Sequence, residues 1–313
     1  VRLLITGISG FIGGSVGRYA EQTGHEVMGT GRANEVTKSW PSLYTQSAGA
    51  ENLATIIRRF QPDVVIHAAG SASVGASVEE PLNDFRGSVQ TSVEVLEAVR
   101  RSGRRPIVVI SSSAAVYGNP ASLPVSEDAA LQPISPYGFH KAACELLARE
   151  YAECFGLKVL VCRFFSVFGP AQRRLLVWEV YRQLTGPEQV VWLRGSGEET
   201  RDFLYIDDLA AALLALVENF ETWQKDYLLL NVASGVETSV LQLAEMIREA
   251  VAAEKEIRCR GQQQKNDPLR WRADISRVRT LLPRWRPRGL SDGLAACTAA
   301  WRQMDRSSLQ HGS

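Results

Sequence analysis

Thr6-Gly7-Ile8-Ser9-Gly10-Phe11-Ile12-Gly13 is the stretch that decides the fold. It follows a short apolar run at 3–6 and leads into a helical pattern over 13–22, so three glycines fall where a strand gives way to a helix. In that context Gly7 permits the tight turn, Gly10 lets the backbone approach a pyrophosphate, and Gly13 lets the helix pack closely on the strand. The helix start, with Phe11 and Ile12, then offers free N–H groups and a partial positive charge to phosphates. A plain strand–helix turn is the alternative, and the placement between strand and helix argues against it.

The alternation continues outward from that turn. Apolar strand candidates lie at 3–6, 26–30, 63–69, 107–112 and 158–165, with helical patterns at 13–22, 50–60, 84–101 and 137–155. Within 84–101, Val89, Val93, Leu96 and Val99 recur at helical spacing. Near-continuous apolar strands separated by helices predict a parallel sheet covered on both faces. Right-handed crossovers make it an α/β, doubly wound fold. After Pro170 the pattern loosens into helices at 173–186, 205–219 and 240–253, a strand at 190–195, and a strand at 228–234 that returns to the main sheet. The expected division is a dinucleotide-binding domain over 1–170, with returning elements near 205–235, and a smaller mixed α/β C-terminal substrate lobe over 171–313. The polar tail after Gln303 is expected to fray.

The 313 residues are 45% hydrophobic and 22% charged, enough to bury a real core, and the formal net charge is +1. That balance gives no reason to expect a nucleic acid or an anionic membrane as partner. No apolar run is long enough to span a bilayer. Residues 1–6 read as a strand rather than a signal peptide, which predicts a cytoplasmic protein. The five cysteines (Cys144, Cys154, Cys162, Cys259, Cys297) include no Cys-x-x-Cys pair, so free thiols are expected. The four histidines are scattered without metal-ligand spacing, and no metal site is predicted.

The ends of the second and third strands read the cofactor. An acid after the second strand accepts from the 2′-hydroxyl of NAD, whereas an arginine there accommodates the 2′-phosphate of NADP. The segment is Thr30-Gly31-Arg32, without an acid, so Arg32 is a cofactor candidate and NADP is favoured over NAD. A solvated arginine at a strand end is the plainer alternative. Ala68, Ala69 and Gly70 leave room for the adenosine and diphosphate side.

The fourth strand runs into Ser111-Ser112-Ser113-Ala114-Ala115-Val116-Tyr117-Gly118, and Pro136-Tyr137-Gly138-Phe139-His140-Lys141 follows. Tyr137 and Lys141 are four apart, so on a helix they share a face. An ammonium beside a phenol favours the phenolate, and such a tyrosine can give or take a proton on a sugar or keto oxygen. Lys141 can also hold the nicotinamide ribose, and a hydroxyl from the serine run can bond the same substrate oxygen.

With these motifs the chain resembles the extended short-chain dehydrogenases/reductases, within the nucleotide-sugar epimerase/dehydratase group, whose dinucleotide domain is a Rossmann fold. The stretches carrying the likeness are TGISGFIG at 6–13, VIHAAG at 65–70, SSSAAVYG at 111–118, SPYGFHK at 135–141, RFFSVFGP at 163–170 and TRDFLYIDDLA at 200–210. The resemblance implies Ser113 as catalytic serine, Tyr137 as acid/base, Lys141 as its partner, and Ser112 against the nicotinamide. It implies a nucleotide-activated sugar as substrate. Ser166, where many relatives carry Asn, and Arg201 would contact its phosphates, with Lys265 or Arg270 replacing another family arginine. An Asn that usually braces the active site is replaced within Ser88-Val89-Gln90-Thr91-Ser92. Trp178, Trp192, Trp271 and Trp285 are weighed as base or sugar walls, with packing the plainer reading for each; Trp301 is read as packing. Asp207 and Asp208 read as dipole partners of a helix start. The helices at 84–101 and 137–155 resemble those of the family's dimer interface, which implies a homodimer.

Dehydratases in this group resemble one another in carrying an acid just after the catalytic Ser/Thr. Here Ala114 and Ala115 follow Ser113, which argues against 4,6-dehydration. Two reactions remain open. One is 4-epimerisation, in which hydride leaves sugar carbon 4, the 4-keto sugar turns, and hydride returns to the other face. The other is net reduction of a 4-keto-6-deoxy nucleotide sugar by NADPH, which the Gly29-Thr30-Gly31-Arg32 segment resembles. A non-catalytic dinucleotide sensor is the minor alternative; relatives of that kind lack the Tyr or Lys.

Overall fold

A computed structural model describes residues 1–31, 50–220, 223, 225–261 and 268–310. Eleven strands are found among them: β1 Arg2–Thr6, β2 Glu26–Thr30, β3 Val64–His67, β4 Ile107–Ser113, β5 Val159–Phe164, β6 Ser166–Phe168, β7 Val190–Leu193, β8 Thr200–Tyr205, β9 Tyr227–Val232, β10 Glu237–Ser239 and β11 Glu256–Cys259. Six form an all-parallel central sheet in the order β2-β1-β3-β4-β5-β9. Alternate residues of each strand feed opposite faces. Leu3, Ile5, Ile107, Val109 and Leu160 enter one core, while Leu4, Val108, Ile110, Val159 and Val161 enter the other. This two-sided burial is why these strands lack an apolar/polar alternation.

The second core is covered by α2 (Ala50–Phe60), α5 (Thr91–Ser102) and α6 (Pro136–Phe155); α1 (Phe11–Gln22) and α8 (Ile206–Glu218) lie on the opposite face. The sheet is therefore doubly wound. Helix α6 has clear local causes. Ser135 caps it by accepting from Gly138 N, Pro136 occupies its first turn, and Gly156 ends it at φ +66°.

The structure differs from the sequence reading in three places. The single helix expected at 84–101 follows a short α3 (Val74–Glu79) and is divided into α4 (Pro81–Phe85), a π-helical turn Arg86–Gln90 and α5. Thr91 Oγ1 donates to Gly87 O at 2.7 Å and Ser92 Oγ to Ser88 O at 2.7 Å, so hydroxyls compete for carbonyls just where the helix widens. The run at 158–165 ends one residue early, and after a kink closed by Val167 N donating to Phe165 O, β6 leaves the central sheet to pair with β8. The tail does not fray at Gln303: α11 extends over Leu290–Gln310. Trp301, fully buried, donates to Pro170 O at 2.7 Å, and Tyr181 OH to Asp305 at 2.9 Å, which anchors that helix.

The smaller sheets, β10-β8-β6 and β11-β7, pack with α7 (Leu175–Thr185), α9 (Val240–Val251), α10 (Ser276–Leu281) and α11 beyond the carboxyl ends of the central strands. No helix among the described residues is long and apolar enough to cross a membrane.

Candidate active site

The chain order of the central sheet reverses between β1 and β3, and the glycine turn lies at that switch point, where open α/β sheets hold ligands. Gly7 has φ +74°, and a Cβ on it would stand 2.6 Å from Ala69 N. Its N–H donates to Thr30 O at 2.8 Å, tying the turn to the end of β2. A Cβ on Gly13 would overlap the Gly7 carbonyl. Gly10 is different: it is exposed, and a Cβ there meets only Gly7 O, at 3.2 Å. The fold requires Gly7 and Gly13, while Gly10 leaves open space in front of α1. No side chain caps that helix and no acid lies in its first turn, so Phe11, Ile12 and Gly13 open an N-terminus suited to phosphate. Ala68 and Ala69 are half-buried and Gly70 exposed at the end of β3, across the turn from Gly7.

The catalytic candidates meet at the ends of β4 and α6. Lys141, 7% exposed, donates its Nζ to Ser111 O at 2.9 Å and lies 5.7 Å from the centroid of the Tyr137 ring. Gly138 packs so closely on Ala115 O that a Cβ would stand 2.5 Å from it, which seats the start of α6 on the turn Ala114–Tyr117. Ser113 caps that turn by accepting from Ala115 N at 3.2 Å and is half-buried. Tyr137, also half-buried, is held by its backbone N–H, which donates to Ser77 Oγ at 3.1 Å. Ser113, Tyr137 and Lys141 are thus carried by two mutually packed elements at the carboxyl end of β4.

The Ser112 hydroxyl does not face the same side. Strand alternation turns it toward α6, where it donates to Glu145 at 2.5 Å. Glu145 also receives Arg163 Nε at 2.9 Å and Nη2 at 2.6 Å, and Arg163 Nη1 donates to Tyr117 OH and Glu127 O. Tyr117 OH in turn donates to Asn231 on β9, and burial pushes its pKa up to about 12. Sequence reasoning missed this network, although Tyr137, Lys141 and Glu145 recur every four residues along one helix face.

His67 was also missed. Thr6 Oγ1 accepts from Ala69 N and forms a hydrogen bond with His67 Nδ1 at 2.7 Å. Burial first, and the Lys141 charge second, lower the His67 pKa to about 3, so the imidazole is neutral at ordinary pH. Its Nε2, Ser88 Oγ and Ser111 Oγ are buried and have no hydrogen-bond partner among the described residues. A Cβ on Gly70 would lie 3.8 Å from Lys141 Nζ and 4.0 Å from Ser88 Oγ, so these groups gather around the Lys141 ammonium. Orphaned buried polar atoms beside an uncapped helix start and an open glycine fit a bound dinucleotide.

Residues 3–232 match the NAD dependent epimerase/dehydratase family. The chain belongs to that family. It is 30% identical over 315 residues to the UDP-glucose 4-epimerase of Mycolicibacterium smegmatis, covering 96% of this chain and 99% of that one. Its fold is similar to UDP-glucose 4-epimerase of Thermotoga maritima with UDP-glucose (TM-score 0.85, 28% identity, 97% and 99% of the two chains). It is likewise similar to MoeE5 in complex with UDP-glucose and NAD (TM-score 0.85, 27% identity, 97% and 99%). This family member is an enzyme of the extended short-chain dehydrogenase/reductase type.

On the substrate side the structure sorts the family candidates. Ser166 pairs in register with Phe203, and Arg201 lies two residues before it on β8, so Ser166 and Arg201 share a face of the small sheet. Arg201 is 8% exposed, and the buried Asp202 beside it accepts from Ser234 N and Oγ, Gly235 N and Ala273 N. Arg270 is not brought to Arg201. It is exposed and binds Glu237 through two nitrogens, at 2.7 and 3.0 Å. Its neighbour Trp271 takes the place instead, because successive residues of an extended segment face opposite sides: the Arg201 guanidinium lies 5.3 Å from the Trp271 ring centroid. Trp178 stacks on Tyr181 and meets Trp301 edge-on, as packing. Trp192 is 41% exposed beside Arg258 and Arg260, and Trp285 donates to Asp208 O. Arg32 and Lys265 lie outside the described residues.

Proposed function

We propose that this enzyme is an NAD-dependent UDP-sugar 4-epimerase. The observation that supports the reading is the packing of the start of α6, which bears Tyr137 and Lys141, on the turn that follows Ser113 at the end of β4; the two positions after Ser113 are buried alanines with no carboxylate to expel a neighbouring hydroxyl. The relatives named above are sugar epimerases and a UDP-glucose- and NAD-bound protein, which supports the same substrate class.

In this reading Tyr137 takes the proton of the sugar 4-hydroxyl and returns it to the 4-keto oxygen, a role it performs in place because its backbone is pinned by Ser77. Lys141, anchored on the Ser111 carbonyl, holds positive charge beside the phenol and offers its remaining donors to the nicotinamide ribose. Ser113 hydrogen-bonds the reacting oxygen. Gly7, Gly10, Phe11, Ile12 and Gly13 cradle the pyrophosphate, with Ala68, Ala69 and Gly70 beside it. When bound, the dinucleotide supplies the hydride acceptor at carbon 4. Ser166 and Arg201 take the sugar-nucleotide phosphates. The exposed Phe139 and Leu146 of α6, one heptad apart, with Leu82 and Phe85 of α4, form the face that a second copy covers in a homodimer.

A second reading rests on Arg32 in Gly29-Thr30-Gly31-Arg32: an NADP preference and net reduction of a 4-keto sugar. One experiment separates them. Purified protein is offered UDP-glucose, UDP-galactose and UDP-glucuronate, and separately 4-keto-6-deoxy sugars with NADPH. Interconversion at carbon 4 without added NADPH is the expected result. Stoichiometric NADPH consumption on the keto substrate, with no interconversion, overturns the epimerase reading, and turnover in neither arm overturns both.

A further inference from the structure

We propose that Trp271 is a positioning residue that couples the phosphate side of the site to the turn carrying Ser113. The assignment rests on the reading of Arg201 as a diphosphate ligand. The indole touches both sides at once. Its Nε1 donates to Gly118 O at 3.0 Å, its ring face lies under the Arg201 guanidinium, and the edge contact with Phe165 at 6.2 Å packs it against the residue that follows β5.

Gly118 is the closing residue of the turn that Ser113 opens. Its N–H donates to Ala115 O, and its φ of +58° with the Gln132 carbonyl against its α-carbon leaves no room for a side chain. The hydrogen bond from Trp271 therefore holds the far end of the turn whose near end is the catalytic serine. On the other side, the Arg201 guanidinium rests on the aromatic face of Trp271, a stacking that orients its plane. Arg201 Nη1 already donates to Thr200 O at 2.7 Å, which limits its freedom.

The backbone of Trp271 is fixed as firmly as its side chain. Thr200 N donates to Leu269 O and Trp271 N to Thr200 O, lacing the segment to the start of β8. Val125 N donates to Arg272 O, and Asp274 N to Val125 O, lacing it to the loop after Gly118. A ring only 9% exposed, on backbone held from two sides, transmits a shift of Arg201 to the Gly118 carbonyl rather than absorbing it.

The two contacts are separable by substitution. Trp271→Phe keeps an aromatic face for Arg201 and removes the donor to Gly118. Trp271→Leu removes both. With the full-length enzyme, UDP binding is measured by titration calorimetry and UDP-glucose/UDP-galactose interconversion by steady-state kinetics, with NAD affinity and thermal unfolding as controls. Trp271→Phe is expected to bind UDP within about two-fold of wild type and to lose about ten-fold in kcat. Trp271→Leu is expected to lose about ten-fold in both UDP affinity and kcat. Equal UDP affinity in wild type and the Leu variant, or parallel losses of affinity and rate in the Phe variant, overturns the assignment. Should the Leu variant fail to fold, the Phe variant decides alone by the split between affinity and rate. A wild-type enzyme that neither binds UDP nor converts UDP-sugars sinks the substrate reading itself, and this assignment with it.

Discussion

Glu145→Gln tests whether α6 is held in place by charge as well as by packing. The carboxylate is 5% exposed and receives three hydrogen bonds, from Ser112 Oγ at 2.5 Å and from Arg163 Nε and Nη2 at 2.9 and 2.6 Å. Arg163 is 2% exposed. An amide at 145 keeps the shape, withdraws the charge that neutralises Arg163, and turns an N–H₂ group toward other donors. Removing one member of a buried pair costs about 3–5 kcal/mol. Arg163 keeps its bonds to Tyr117 OH and Glu127 O, which places the loss near about 3 kcal/mol. That is a large share of a total stability of about 5–15 kcal/mol. The double variant Glu145→Gln/Arg163→Met no longer buries an unpaired charge, so it should be less destabilised than the sum of the single losses by about 1.5 kcal/mol or more. Urea unfolding at fixed protein concentration, followed by far-UV circular dichroism, gives each loss as a shift in midpoint at constant slope. A loss below about 1 kcal/mol for Glu145→Gln, or additivity within about 0.5 kcal/mol, refutes the reasoning.

Three further outcomes are expected. Gly10→Ala should fold normally and weaken NAD binding, whereas Gly7→Ala should lose about 2 kcal/mol or more of stability from its left-handed backbone and the contact with Ala69; calorimetry and thermal unfolding read the two, and a destabilised Gly10→Ala with intact NAD affinity contradicts the assignment. His67 is held neutral, with its pKa lowered to about 3 from 6.5. The stability this contributes is fully present above pH 6.5 and is lost as pH falls toward 3, at up to about 1.4 kcal/mol per pH unit. Stability measured from pH 7 to 4.5 should therefore fall less steeply in His67→Gln than in wild type, and parallel slopes would count against a buried neutral imidazole. Tyr137→Phe should cut turnover by at least about a hundred-fold while leaving dinucleotide affinity unchanged; undiminished turnover removes Tyr137 from the mechanism.

Legibility followed the range of the interaction. The glycine turn, the Tyr137–Lys141 pair and the serine run each depend on spacing within one element or one junction, and the structure places them between β1 and α1, on α6 and at the end of β4. That Trp271, and not Arg270, would lie against Arg201 was not legible, because the orientation of the segment 269–273 depends on what it packs against. The bond from the Ser112 hydroxyl to Glu145 was not legible, because the family motif says nothing about which face of β4 meets α6. The division of 84–101 depends on Thr91 and Ser92 competing for helix carbonyls, a signal weaker than the apolar period around it.

The sequence by itself determined the alternating β/α order, the two-sided sheet and the glycine turn between β1 and α1, because apolar periodicity and glycine placement act over a few residues. Only the tertiary structure decided that Glu145 and Arg163 brace α6 from behind, that His67 is neutral, and that Trp271 rather than Arg270 meets Arg201. Those outcomes turn on burial and on partners as far as 153 residues away in the chain, as between Trp271 and Gly118. Desolvation and charge pairing are set by what surrounds a group in space, and no local pattern of residues encodes that.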